Sequence, residues 1–179
     1  IYTMEANGLN GLPRVYPPGN YSSISWSPDG SHLAYVVLSE DTEPQIQVTD
    51  TSGNNTVIIT DALPAGEVLY SWKYSWTQNG RAISFVAYKQ GQDQWIAYEA
   101  GLTGDRLVEK AVSSTPMHSW WKGTSFITGF DLSTLSWLRS DGTSSTLNPL
   151  ENCPPASNAQ YGFLAQRSPS GSLLISIGC

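Results

Sequence analysis

Histidine and cysteine are scarce in this chain, with two of each, and that scarcity removes most metal and thiol chemistry at once. No Cys-x-x-Cys, His-Glu-x-x-His, Gly-x-Ser-x-Gly or glycine-rich phosphate loop occurs in the 179 residues. The motifs that mark zinc sites, metalloproteases, serine hydrolases and nucleotide binding are therefore missing. Basic residues are also few: nine lysines and arginines stand against fifteen acidic residues, a formal net charge of −6 with no basic run. A surface of that sign argues against a nucleic-acid partner, because phosphate recognition needs a positive face. No run approaches 18 apolar residues, so no helical membrane span is expected. Sixteen glycines and eleven prolines are scattered along the chain, and they interrupt every helical periodicity of useful length, so almost no helix is expected. The chain starts at Ile1, and a signal peptide, if one existed, is expected to be gone already.

What remains is a repeat. Ser25-Trp26-Ser27-Pro28-Asp29-Gly30 precedes the apolar run Leu33–Val36 and returns in worn form three times: at Ser75–Gly80, at Ser119–Gly123 and at Arg167–Gly171. The marker glycines Gly30, Gly80, Gly123 and Gly171 lie 50, 43 and 48 residues apart, the spacing of repeated β-blades. A Pro-Asp-Gly or Gln-Asn-Gly triplet between apolar runs is a hairpin turn, with proline presetting φ and glycine accepting the positive φ that other residues resist. The strand after the first turn, Leu33 to Leu38, is apolar at odd and even positions alike. Both of its faces are therefore expected to be covered.

These residues resemble the TolB-type WD40-like (PD40) β-propeller repeat, an aromatic-Ser-Pro-Asp-Gly turn followed by an apolar strand. Ile1-Tyr2-Thr3-Met4-Glu5-Ala6-Asn7-Gly8 is similar to that family's other half-repeat. The later repeats depart from the motif, since Gln78-Asn79-Gly80 lacks the proline and aspartate and Pro169-Ser170-Gly171 lacks the aspartate. The resemblance implies an all-β propeller, and in exported proteins an interaction module or a substrate-gating domain attached to a peptidase.

Laid along the chain, the repeat predicts one domain over 1–179 with blades at about 21–60, 71–112 and 117–147. A fourth would run over 161–179 and be completed by 1–16. The expected ring has four blades, closed by antiparallel pairing of Ile1–Glu5 with Leu173–Ile177, which removes the open edges that invite aggregation; the competing reading is a piece of a larger propeller. Cys153 and Cys179 flank the last blade, and a bridge between them would enclose 27 residues, worth roughly 3–4 kcal/mol in the loop-entropy model. Such a bridge implies an oxidising, extracytoplasmic compartment; two reduced buried thiols are the alternative. Asn20-Tyr21-Ser22 and Asn54-Asn55-Thr56 are formal glycosylation acceptors.

The expected function is non-catalytic: a protein- or peptide-binding propeller of an exported protein, monomeric, with no cofactor, no resident metal and no membrane insertion. The alternatives are a substrate-gating propeller of a larger peptidase or hydrolase and a carbohydrate-binding, lectin-like propeller. Seven tryptophans, each able to bury about 150–250 Å² when enclosed, belong first to the core. Trp72 and Trp120 are singled out because they flank the inner strands of the second and third blades, with His118 beside them. Glu40, Asp41 and Glu43 form an acidic loop expected on the same rim, near Asp61 and Glu67. Such loops could instead simply be a solvated acidic surface. Rings supply desolvated area and carboxylates select a basic partner.

Overall fold

The computed structural model describes residues 1–15, 19–77, 79–121, 125–128, 136–139, 143–146, 163–167 and 173–177. Among these residues are sixteen strands: β1 (Tyr2–Thr3), β2 (Leu12–Pro13), β3 (Asn20–Trp26), β4 (His32–Leu38), β5 (Gln45–Asp50), β6 (Thr56–Ile58), β7 (Glu67–Trp76), β8 (Ala82–Lys89), β9 (Gln94–Gly101), β10 (Leu107–Ser113), β11 (Met117–Trp121), β12 (Ser125–Thr128), β13 (Ser136–Arg139), β14 (Ser144–Thr146), β15 (Phe163–Arg167) and β16 (Leu173–Ile177). One helical turn, Ile59–Ala62, is the only helix among the described residues. Three sheets are four-stranded antiparallel meanders, β3–β6, β7–β10 and β11–β14, while β1–β2 and β15–β16 are two-stranded.

The turns explain why the worn repeats still fold alike. In the first, Ser27 N–H donates to His32 O and Gly30 N–H to Ser27 O, each at 2.9 Å, while Asp29 Oδ1 accepts from Ser27 Oγ at 2.6 Å and from Ser31 N–H at 3.1 Å. In the second, Thr77 N–H donates to Ala82 O and Gly80 N–H to Thr77 O, again at 2.9 Å. There Asn79 Oδ1 takes the place of the aspartate, accepting from Thr77 Oγ1 at 2.9 Å and Arg81 N–H at 3.1 Å. The amide oxygen suffices because the turn needs an acceptor, not a charge. Gly80 has φ +67°, and a Cβ there would meet the Asp29 carboxyl at 3.3 Å. Glycine is required twice over, for the left-handed backbone and for the approach of the second turn to the first.

Strand β8 shows why the apolar runs do not alternate. Ile83, Phe85 and Ala87 belong to one core cluster with Ala34, Val36, Ile46 and Val48 of the first sheet. Val86 belongs to another, with Trp95, Ala97 and Met117. Successive side chains of a strand point to opposite faces, so the second sheet is sandwiched between the first and the third. The expected covering of both faces is realised.

Two aspartates hold turns as carboxylates. Hydrogen bonds from Ser27 and Ser31 bring the Asp29 carboxyl down to about 2, and those from Ser52 and Asn55 do the same for Asp50. A pKa depressed on folding contributes stability that is present above the unfolded value, near 4, and lost as pH falls towards 2. Thermal midpoints measured between pH 4 and pH 2 should therefore drop for the wild type and drop less for the Asp29→Asn, Asp50→Asn double variant. Parallel curves would contradict the assignment.

The closing ladder is not formed. The strand pairs of β1–β2 (Tyr2 with Pro13, Thr3 with Leu12) and of β15–β16 make two separate sheets, and Ile1–Glu5 does not pair with Leu173–Ile177. The hairpin is bonded within itself, Ile1 O accepting from Arg14 N–H at 2.9 Å and from Val15 N–H at 3.4 Å, and β1 is only Tyr2–Thr3, a short edge on which to build a further ladder. Cys153 and Cys179 lie outside the described residues.

Candidate functional site

The first strands of successive sheets adjoin, β3 against β7 and β11 against β15, and each of β3, β7 and β11 carries a bulge. In β3 the register slips between Ser22 and Ser25, in β7 between Leu69 and Tyr74, and in β11 between Met117 and Ser119. The β7 irregularity sets residues 70–73 against Val86 alone, since Leu69 pairs with Ala87 and Tyr74 with Phe85. Bulges re-aim side chains and recur beside functional sites. Two of the three contain residues singled out by the sequence: Trp72 lies inside the β7 bulge and His118 is the extra residue in β11.

The first two bulges are tied together. Ser23 sits at φ +54°, a conformation that non-glycine residues adopt only when their surroundings enforce it. Its hydroxyl donates to Trp72 O and its carbonyl accepts from the Tyr74 hydroxyl. The same phenol lies 2.7 Å from Ala34 O and 2.9 Å from Ser25 Oγ, and Trp76 Nε1 donates to Ser25 Oγ at 3.1 Å. Burial pushes the Tyr74 phenol up to about 12, with the Ser25 hydrogen bonds acting the other way. A polar bolt thus joins the inner strands of neighbouring sheets.

Around that bolt, apolar side chains point to solvent. Trp72 is 54% exposed, Ile24 50% and Trp26 45%, large rings and branches that the core has not absorbed. Their arrangement offers a rim of desolvatable area beside the Ser23–Trp72 hydrogen bond.

Glu40, Asp41 and Glu43 are exposed in the β4–β5 connection. Antiparallel order puts that connection at the same end of the first sheet as the β6–β7 connection holding Asp61. Glu67, at the start of β7, is engaged, accepting from the Tyr98 hydroxyl at 2.7 Å; burial, then the Glu67 carboxylate, raises that phenol. No described hydrogen bond or ion pair links the acidic loop to Trp72. The structure describes only the backbone at His118 and Trp120. His32 sits half-buried beside the first turn with Nδ1 2.7 Å from Ser31 Oγ. Among the described residues no group of three or more histidine, cysteine or carboxylate side chains is placed to hold a metal ion, and no helix is long and apolar enough to cross a membrane. The sequence reading missed the bulges at Ser23 and Tyr70–Lys73. Their one sequence signal was polar Ser22-Ser23 and Ser71 breaking the apolar strand pattern.

No family model matches the sequence, and no curated protein matches it. Solved structures do. The chain is similar to an oligogalacturonate lyase in complex with manganese, with a TM-score of 0.64 and 15% identity over 78% of this chain and 39% of that one. It is also similar to TolB from Acinetobacter baumannii, with a TM-score of 0.57 and 20% identity over 96% of this chain and 44% of that one. An oligogalacturonate lyase from Vibrio parahaemolyticus gives a TM-score of 0.55 and 17% identity over 70% and 36% of the two chains. The chain spans less than half the length of each. At such identities the likeness speaks for the fold alone: an all-β array of antiparallel sheets of the β-propeller kind, with TolB among its structural neighbours.

Proposed function

We propose that this chain is a non-catalytic β-propeller interaction module that captures a protein or peptide on its inner-strand face, and that it works outside the cytoplasm. The observation that carries the reading is the half-exposed Trp72, held in the β7 bulge by the Ser23 hydroxyl. An aromatic ring fixed in water by irregular backbone is poorly explained by stability, because the same ring packed inward would remove more apolar area. At an interface it is a ready anchor: tryptophan presents large area at small entropic cost. Trp120 and His118 belong to the same proposed face, by their place on the inner strand of the third sheet. The exposed carboxylates of Glu40, Asp41 and Glu43 favour a basic partner, acting on encounter rate and selectivity more than on affinity.

A random peptide library panned against the folded chain tests this. Sequences rich in lysine, arginine and aromatic residues should be enriched. Binding of a selected peptide should fall at least about ten-fold in Trp72→Ala and by a smaller, salt-dependent factor in Glu40→Lys, Asp41→Lys, with far-UV circular dichroism unchanged. Failure to enrich any sequence, or equal binding by Trp72→Ala, would overturn the reading.

A further inference from the structure

At the other end of the strands from the acidic loop, a cleft of about 430 Å³ opens between the first and second sheets, within the size range of small-ligand sites. Strand β4 runs from His32 to Leu38, so at about 3.3 Å per residue the two ends are some 20 Å apart. One wall of the cleft is the β3–β4 turn with Asp29, Ser31 and His32; the other is formed by Arg81 after the β7–β8 turn and by the β9–β10 turn with Asp105 and Arg106. The two arginines stand on different turns of the second sheet and share one end because β8 pairs with β9, Ala82 opposite Gly101, while the Gly80 turn packs against Asp29 of the first sheet.

We propose that this cleft binds carboxylate ligands, with Arg81 and Arg106 as the anchors. The formal charges of the walls cancel, but their hydrogen-bonding capacity does not. Asp29 Oδ1 already accepts from Ser27 Oγ, Ser31 N–H and Ser31 Oγ at 2.6, 3.1 and 2.8 Å, and Asp105 Oδ1 accepts from Thr103 Oγ1. Neither guanidinium has a hydrogen-bond or ion-pair partner among the described residues, where Lys110–Glu99 at 3.3 Å is the ion pair. One carboxylate oxygen of each aspartate is thus held within its own turn, while Arg81 and Arg106, whose planar N–H forks have no partner among the described residues, line the same concavity. That donor geometry matches a carboxylate in bidentate fashion. Ser31 and His32 stand beside it as further hydrogen-bonding groups. The carboxylates can come from an acidic peptide or from a free polycarboxylate, since the cleft is open to both.

Calorimetric titration of the full chain at low ionic strength with the tripeptide Glu-Glu-Glu and, separately, with citrate distinguishes the two sources. Saturable binding of either probe is expected, and the tighter one assigns the source. Arg81→Gln, Arg106→Gln should weaken it at least about ten-fold, and Arg81→Lys, Arg106→Lys should fall between, because charge is kept and the fork is lost. Lys89→Gln, which removes a charge at the far end of β8, should stay within about two-fold of wild type. Thermal melts verify folding, and should the double glutamine variant fail to fold, the lysine pair and single Arg106→Gln decide. No saturable binding of either probe below about 10 mM, undiminished binding by the arginine variants, or an equal loss in Lys89→Gln would overturn the proposal.

Discussion

Truncation of Phe85 to alanine is expected to lower stability by about 3–5 kcal/mol, the usual cost of emptying an aromatic site in a core that cannot fully collapse. Phe85 is 2% exposed in the middle of β8, with Tyr74 and Tyr98 as its cross-strand partners and the Tyr98 ring centroid 6.0 Å away. It lies on the face of the second sheet that packs against the first, within the same cluster as Ala34, Val36 and Ile46. The variant should therefore loosen both sheets together. For a chain of this size the thermal midpoint should fall by roughly 6–20 °C, and amide exchange should rise in β4 as well as in β8. A shift under about 2 °C, or faster exchange confined to the second sheet, would show that the sheets do not share a core.

Tyr74→Phe should have the next largest effect, through a single oxygen. Removing it leaves the buried Ala34 O, and beside it Ser23 O and the Ser25 hydroxyl, without the phenol between the inner strands, a loss of about 1–3 kcal/mol for a buried acceptor stripped of its partner. A pH signature separates this from a packing effect. The folded-state pKa of Tyr74 is raised to about 12 by burial, above the ordinary tyrosine value near 10. A raised pKa means the native state holds the proton more firmly, so the contribution is complete below about pH 10 and is lost as pH climbs towards 12, amounting to about 2–3 kcal/mol. Unfolding monitored between pH 9 and pH 12 should show a shallower alkaline decline in Tyr74→Phe. The decline should not vanish, because Tyr98 and Tyr35 are also raised by burial. Identical slopes would remove Tyr74 from the inter-sheet bolt.

How much of this was legible in the sequence depends on whether the information is local. The turn at Pro28-Asp29-Gly30 was legible because its chemistry lies within six residues, and Asn79 could stand in for Asp29 because the turn asks only for an oxygen acceptor. The burial of both faces of β4 and β8 was legible from apolar residues at odd and even positions. Bulges are different. The slip that sets residues 70–73 against Val86 is a property of two strands together, and β7 alone does not declare it. The closing ladder was inferred by counting strands, and the count could not show that the first strand is only Tyr2–Thr3 and pairs with β2 alone. Among the site residues, Trp72 was picked out as flanking an inner strand; its exposure comes from the bulge. Arg81 and Arg106 drew no attention because, 25 residues apart in the chain, they come to one end of the second sheet only through the pairing of β8 with β9.

Hydrogen–deuterium exchange of the chain with and without a peptide selected by panning tests the central claim most directly, because it reports where a partner sits rather than whether one binds. The account predicts slowed exchange in Ser22–Trp26 and Tyr70–Lys73, the two linked bulges, with a weaker effect in the loop of Glu40, Asp41 and Glu43. Protection confined to the outer strands β6 and β10 would contradict it, as would protection confined to the turns at the opposite end of the sheets.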